Sequence, residues 1–112
     1  MEQLETIEQR LQKDLKYIKN ELIAEQTDGH YCKFSRALGG IAIIGLTETQ
    51  YMNYWKNQYK NNSKELPIIM NACKDKFLNG LISQSDMIDM INNSNDHTKD
   101  RNTALELLGG KV

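Results

Sequence analysis

The sequence predicts an all-α fold: a compact bundle of about five helices, in which a long amphipathic N-terminal helix precedes two αα-hairpins. Three observations carry this expectation. Apolar residues recur at helical spacing through the first 25 positions. A helix-stop and helix-start signal stands at Gly45-Leu46-Thr47. A similar junction returns about 35 residues later as Gly80-Leu81-Ile82-Ser83.

The first helix is expected from Met1 to Glu25. Leu4, Ile7, Leu11, Leu15, Ile18 and Leu22 fall on one stripe whose mean step is close to 3.6. Glu2, Glu5 and Glu8 precede Lys13, Lys16 and Lys19, an order that suits the helix dipole. A coiled coil would hold a period of 3.5, so the stripe suits packing onto the domain better than a long zipper. A homodimer through this helix is the competing use of the same stripe. Thr27-Asp28-Gly29 then breaks the chain.

A second helix is expected from His30 to Ile44. Its core is the uncharged run Ala37-Leu-Gly-Gly-Ile-Ala-Ile-Ile-Gly-Leu46, far short of the about 20 residues that span a bilayer. Phe34, Leu38, Ile41 and Gly45 share a helical face, and Gly45 serves as the C-terminal cap. Gly39 and Gly40 oppose this reading, since each costs a helix about 1 kcal/mol relative to alanine. They fit a helix only where another helix crosses closely, over Ser35, Gly39 and Ala42. A short strand at Ile41–Ile44 is the alternative.

Thr47-Glu48-Thr49-Gln50 forms a capping box and opens a third helix, Glu48 to Lys60, with Tyr51, Met52, Trp55 and Tyr59 toward the core. Asn61-Asn62-Ser63 is a polar loop. Pro67 starts a fourth helix ending at Asn79, which buries some of Ile68, Ile69, Ala72, Cys73 and Phe77. Ser83 to Asp86 caps a short fifth helix, Met87 to Ile91. The expected organisation is a helical domain at 1–92, a polar linker at 93–103 and a short apolar segment at 104–112. That last segment either folds back on the core or offers a linear motif to a partner. The spacing of the two glycine junctions is near that of tetratricopeptide repeats, but that family's Trp, Gly and Tyr positions are missing, so the chain reads as two hairpins.

Composition excludes several functions. The chain has 112 residues and a formal charge of −1, which gives no global attraction to nucleic acid or anionic lipid. Two cysteines and no signal peptide point to a reducing, cytoplasmic setting and no disulfide framework. The abundance of Asn, Ile and Lys suggests an AT-rich genome. Gly40 to Thr47 has the spacing of a phosphate-binding loop, but Leu46 stands where the lysine is needed and the intervening residues are apolar. Cys32, Cys73, His30 and His97 match no common zinc spacing, and neither cysteine has a His-Asn or His-Asp partner. Asp86 and Asp89 read as solvated charges. No metal, no cofactor and no enzymatic activity are expected.

The third helix carries the candidate site. Opposite its core face it presents Asn53, Tyr54, Lys56, Asn57 and Lys60, with Lys64 just beyond. Tyr and Trp are frequent anchors at protein interfaces, while Asn and Lys reach base edges and phosphates. The segment from helix two through Gly45 to helix three resembles a helix-turn-helix, which implies a DNA-binding regulator. Ile41 stands where that motif wants a small residue, and helix three lacks arginine. The expected function is therefore a small non-enzymatic protein that binds another protein and modulates or inhibits it. A phage or mobile-element accessory protein acting on a host enzyme or defence complex is one form of that reading. The helix-turn-helix regulator is the alternative, and no membrane partner is expected.

Overall fold

Between Leu22 and Leu46 the chain forms strands, where helix was expected. The computed structural model describes residues 5–94 and 99–110. Glu2, Leu4 and His97 lie outside the described residues, as does part of the expected linker. The element order is α1 (Ile7–Asn20), β1 (Leu22–Glu25), β2 (Tyr31–Ser35), β3 (Gly40–Leu46), α2 (Glu48–Tyr59), α3 (Leu66–Asn79), α4 (Gln84–Asn92) and α5 (Lys99–Leu107). The strands form one antiparallel sheet in the order β1-β2-β3, so the fold is α+β and the all-α expectation is corrected.

The physical reason lies in residue type and in period. Ile41, Ile43 and Ile44 are β-branched and pack well on a pleated surface. Burial along β2 alternates residue by residue, with Cys32 and Phe34 buried and Tyr31, Lys33 and Ser35 half-buried. The helical spacing of Phe34, Leu38, Ile41 and Gly45 was coincidental. Phe34 is buried in β2, whereas Leu38 stands 75% exposed at the tip of the β2–β3 hairpin. Gly39 adopts φ +67° in that turn, and its N–H donates to the Arg36 carbonyl at 3.3 Å. It closes a hairpin and meets no crossing helix.

Each face of the sheet covers a separate core. Ala24, Cys32 and Phe34 pack with Met87, Ile91, Ala104, Leu105 and Leu108 from α4, α5 and the residue after α5. On the opposite side, Ile23 and Leu46 join Leu11, Ile18, Tyr51, Trp55, Tyr59, Ile69, Cys73 and Phe77. The sheet therefore sits between two helical layers. The free edge of β1 is covered by the chain entering α4: Ile82 N–H donates to the Ile23 carbonyl, and Nε2 of Gln84, the first residue of α4, to that of Glu25, both at 2.9 Å. α5 begins inside the expected linker, and the Thr27 N–H and hydroxyl both donate to the Leu107 carbonyl. The stripe on α1 is used internally, with Leu11 and Ile18 buried and Ile7 and Leu15 packed beside them.

Gly45 does not cap a helix. It lies in β3 at φ +76°, and its N–H donates to the Oε1 of buried Gln26 at 2.9 Å. Gly80 is the C-cap of α3 at φ −110°. The two junctions thus differ, one strand-to-helix and the other helix-to-helix, and the tandem hairpin reading falls. The helix-turn-helix resemblance loses its first helix, because residues 30–44 supply β2, a turn and most of β3. The capping box at Thr47 is present as expected, with Gln50 N–H donating to Thr47 Oγ1 and Thr47 N–H to Gln50 Oε1, each at 3.0 Å. Among the described residues, no helix is long and apolar enough to cross a membrane.

Candidate functional site

Helix α2 starts at its capping box and sends Tyr51, Trp55 and Tyr59 inward at four-residue steps. That periodicity leaves Asn53, Lys56, Asn57 and Lys60 exposed, and Lys64 is exposed in the loop after the helix. Tyr54 is 57% exposed. These six positions do not form one surface. Asn53 and Lys56 border a shallow depression between α2 and α3, with Met52 and Met70. Tyr54 faces the other way, onto a groove between α1, α2 and the sheet. Asn57, Lys60 and Lys64 line neither.

The groove is built from residues far apart in sequence. Its deeper half, about 540 Å³, is bordered by Tyr17 of α1, Ile43 of β3 and Tyr54 of α2, over Leu46, Tyr51 and Trp55. The adjoining half, about 430 Å³, is bordered by Lys13, Lys16, Lys33 and Arg36. Tyr17, Glu21 and Lys33 belong to both. Three aromatic rings stand in series across it. Tyr54 meets Trp55 edge-on at 5.1 Å between centroids, and Tyr17 lies 6.1 Å from Trp55 on the other side. Trp55 is buried, while Tyr17 is 53% exposed.

Beneath the rings runs an ionic floor. Glu21 follows the last turn of α1 and is buried there. Its Oε1 accepts from the Tyr51 hydroxyl at 2.8 Å, and its Oε2 pairs with Lys33 Nζ at 2.7 Å. Burial, then the Glu21 carboxylate, pushes the Tyr51 phenol far up. Burial also works against the Lys33 charge, but the Glu21 hydrogen bond and Coulomb attraction outweigh it and hold its pKa above the ordinary value. Lys33 Nζ also lies 5.8 Å from the Tyr17 ring centroid, within cation–π range. At the same end of α1, buried Lys76 donates from Nζ to the Lys19 carbonyl at 3.1 Å, and burial lowers its pKa.

The thiols are placed for packing. Cys32 and Cys73 belong to the two different cores, and burial pushes the former up to about 11. Burial, with Glu21 adding to it, takes Cys73 up to about 12. His30 is exposed beside Asp28, with Nδ1 at 3.4 Å from Oδ2. The cysteine–histidine set weighed in the sequence is therefore not assembled among the described residues.

Tyr17, Glu21, Lys33 and Arg36 are groove residues that the sequence reading missed. Two signals were available. Tyr17 is an aromatic lying off the Leu/Ile stripe of α1. Tyr31 to Ser35, read at period two, sets Lys33 opposite Cys32 and Phe34. Comparison with family models, curated proteins and solved structures returns no match. The functional reading therefore rests on the chemistry of the groove itself.

Proposed function

We propose that this chain is a small non-enzymatic module that binds another protein through the groove between α1 and α2 and thereby modulates or inhibits it. One observation carries the reading: Tyr17 and Tyr54, both more than half exposed, flank buried Trp55 at the mouth of an apolar depression. Tyrosine and tryptophan supply large contact area with few torsions to immobilise, which is why they dominate interface energetics. The rings are held by packing against each other, so little ordering remains for binding to impose. Two buried thiols with raised pKa values are poor nucleophiles, which favours a binding role over a catalytic one. The composition suits an accessory protein of a phage or mobile element, with a host enzyme or defence complex as target.

The test is affinity capture with the tagged chain, with and without nuclease, comparing wild type, Tyr17→Ala/Tyr54→Ala, and the control Leu78→Ala, whose side chain is 79% exposed on α3. The expected result is one stoichiometric protein that survives nuclease, is retained by Leu78→Ala and is lost by the double variant at unchanged circular dichroism. Capture that nuclease abolishes, or that the double variant retains in full, would overturn the reading.

A further inference from the structure

The groove is polarised, and its polarity specifies the chemistry of what fills it. Its Tyr17–Ile43–Tyr54 half adds one cation, Lys33, which Glu21 already neutralises at 2.7 Å. Its other half gathers Lys13, Lys16, Lys33 and Arg36 against a single carboxylate, Glu21, in a chain whose formal charge is −1. Lys13 pairs with Glu5. Among the described residues, Lys16 and Arg36 have no ion-pair partner, and both are exposed. The surplus positive charge is thus concentrated at one end of an otherwise aromatic depression.

We infer that the groove takes an acidic peptide segment of its protein partner, with a bulky apolar side chain seated between Tyr17 and Tyr54 and an adjacent carboxylate on Lys16 and Arg36. The inference rests on the protein-binding reading above and deepens it. A guanidinium such as that of Arg36 meets a carboxylate through two parallel hydrogen bonds, and an ammonium beside it adds a point charge. Continuous polyanions suit the groove less well. A nucleic-acid strand would carry phosphates along its whole length, including the half that holds Asp14 and Glu21 and no cation beyond the Glu21-paired Lys33. Both of those carboxylates are already engaged. Asp14 accepts from the Tyr59 hydroxyl at 2.6 Å and pairs with Arg10 at 3.6 Å, so neither is available to turn toward a basic ligand. A peptide with its negative charge at one end matches both halves.

The experiment is selection of displayed random 12-residue peptides on the full-length chain, followed by fluorescence anisotropy of an enriched peptide. Wild type is expected to enrich Asp or Glu within a few positions of Trp, Phe or Leu. Lys16→Glu/Arg36→Glu, two exposed positions, should weaken the enriched peptide by roughly tenfold or more, the equivalent of one charge-assisted bond. Tyr54→Ala should weaken it independently of salt, whereas the contribution of Lys16 and Arg36 should fade as salt rises. Peptides enriched without acidic residues yet lost on Tyr17→Ala/Tyr54→Ala would overturn this inference and leave the protein-binding reading standing. Enriched peptides indifferent to the tyrosines, or no enrichment at all, would overturn the inference, the former counting against the wider reading as well. Tighter binding of a labelled oligothymidylate than of any peptide, or self-association abolished by Arg36→Glu in sedimentation, would also overturn it, by assigning the groove to nucleic acid or to a second copy.

Discussion

Replacing Lys33 with methionine isolates the ionic floor from the rest of the groove. Methionine keeps an unbranched apolar stem against the Tyr17 ring and removes only the ammonium. What it leaves is the Glu21 carboxylate, whose side chain is 4% exposed, with the Tyr51 hydroxyl as its remaining donor. Stripping one partner from a fully buried pair costs about 3–5 kcal/mol. The Lys33 side chain is 19% exposed at the groove, and water there tempers the loss, so the expected cost is about 2–3 kcal/mol. For a chain of this size that is a fall in Tm of roughly 10 °C. Adding Glu21→Gln should recover about 1 kcal/mol or more, because it removes the stranded charge while keeping an acceptor for Tyr51. The pH dependence has a definite sign. Glu21 holds the Lys33 pKa above 10.5, so the wild-type advantage is full below that value and disappears as pH rises through the higher folded-state value. Urea melts followed by circular dichroism, at neutral and strongly alkaline pH, give all of these quantities. A Lys33→Met cost below about 0.5 kcal/mol, or strict additivity with Glu21→Gln, would refute the buried-pair reasoning.

Two further outcomes follow from single residues. Gly45→Val should lose about 1–2 kcal/mol in the same melts, because φ is +76° while nothing lies within 4 Å of an added Cβ, so the penalty is one of backbone conformation; a neutral result would mean that β3 relaxes to negative φ. Lys76→Met should change the slope of stability against pH. Burial lowers the folded-state pKa of Lys76 beneath 10.5, so wild type gains stability as pH rises from that lowered value toward 10.5, and the variant should lack that gain.

Legibility of this fold in the sequence tracks how local each determinant is. Thr47 and Gln50 bond each other three residues apart, and the capping box and the inward Tyr51, Trp55 and Tyr59 were readable because they involve one helix alone. The sheet was not, because Ile41–Leu46 is a short apolar run whose period fits helix or strand equally well. Pairing decided it: Phe34 stands opposite Ile41 and Lys33 opposite Ile43 across a hairpin, and the period of either strand read alone does not record that register. The two glycines at 39 and 40 held the clue, since Gly39 suits the turn and Gly40 opens β3, while a helix tolerates both only under a close crossing. The site divided in the same way. Tyr54 was legible as an exposed aromatic on a helix, but its neighbours Tyr17 and Lys33 come from elements 37 and 21 positions earlier (54 − 17 and 54 − 33). Only the register of β2 and the crossing of α1 bring them to one groove.

The groove stays open for a reason that can be stated at the level of two side chains. A sheet face flanked by two amphipathic helices normally closes, because each apolar Å² removed from water contributes about 25 cal/mol. Here the β2 position that faces the gap is Lys33, whose ammonium must keep either water or a carboxylate. Glu21, held where α1 gives way to β1, supplies the carboxylate. Drawing Tyr17 and Tyr54 fully over this pair would strip the remaining water from Lys33, whose side chain is 19% exposed, a cost that its attraction to already buried Glu21 offsets only in part. The tyrosines therefore stop at the rim with more than half of their surface in water, and the unfavourable exposure is balanced locally by the pair beneath them. Aromatic surface left in water where α1, α2 and the sheet meet over an ion pair is where local stability and binding pull in opposite directions. That opposition is the physical ground on which the groove is proposed as the binding surface.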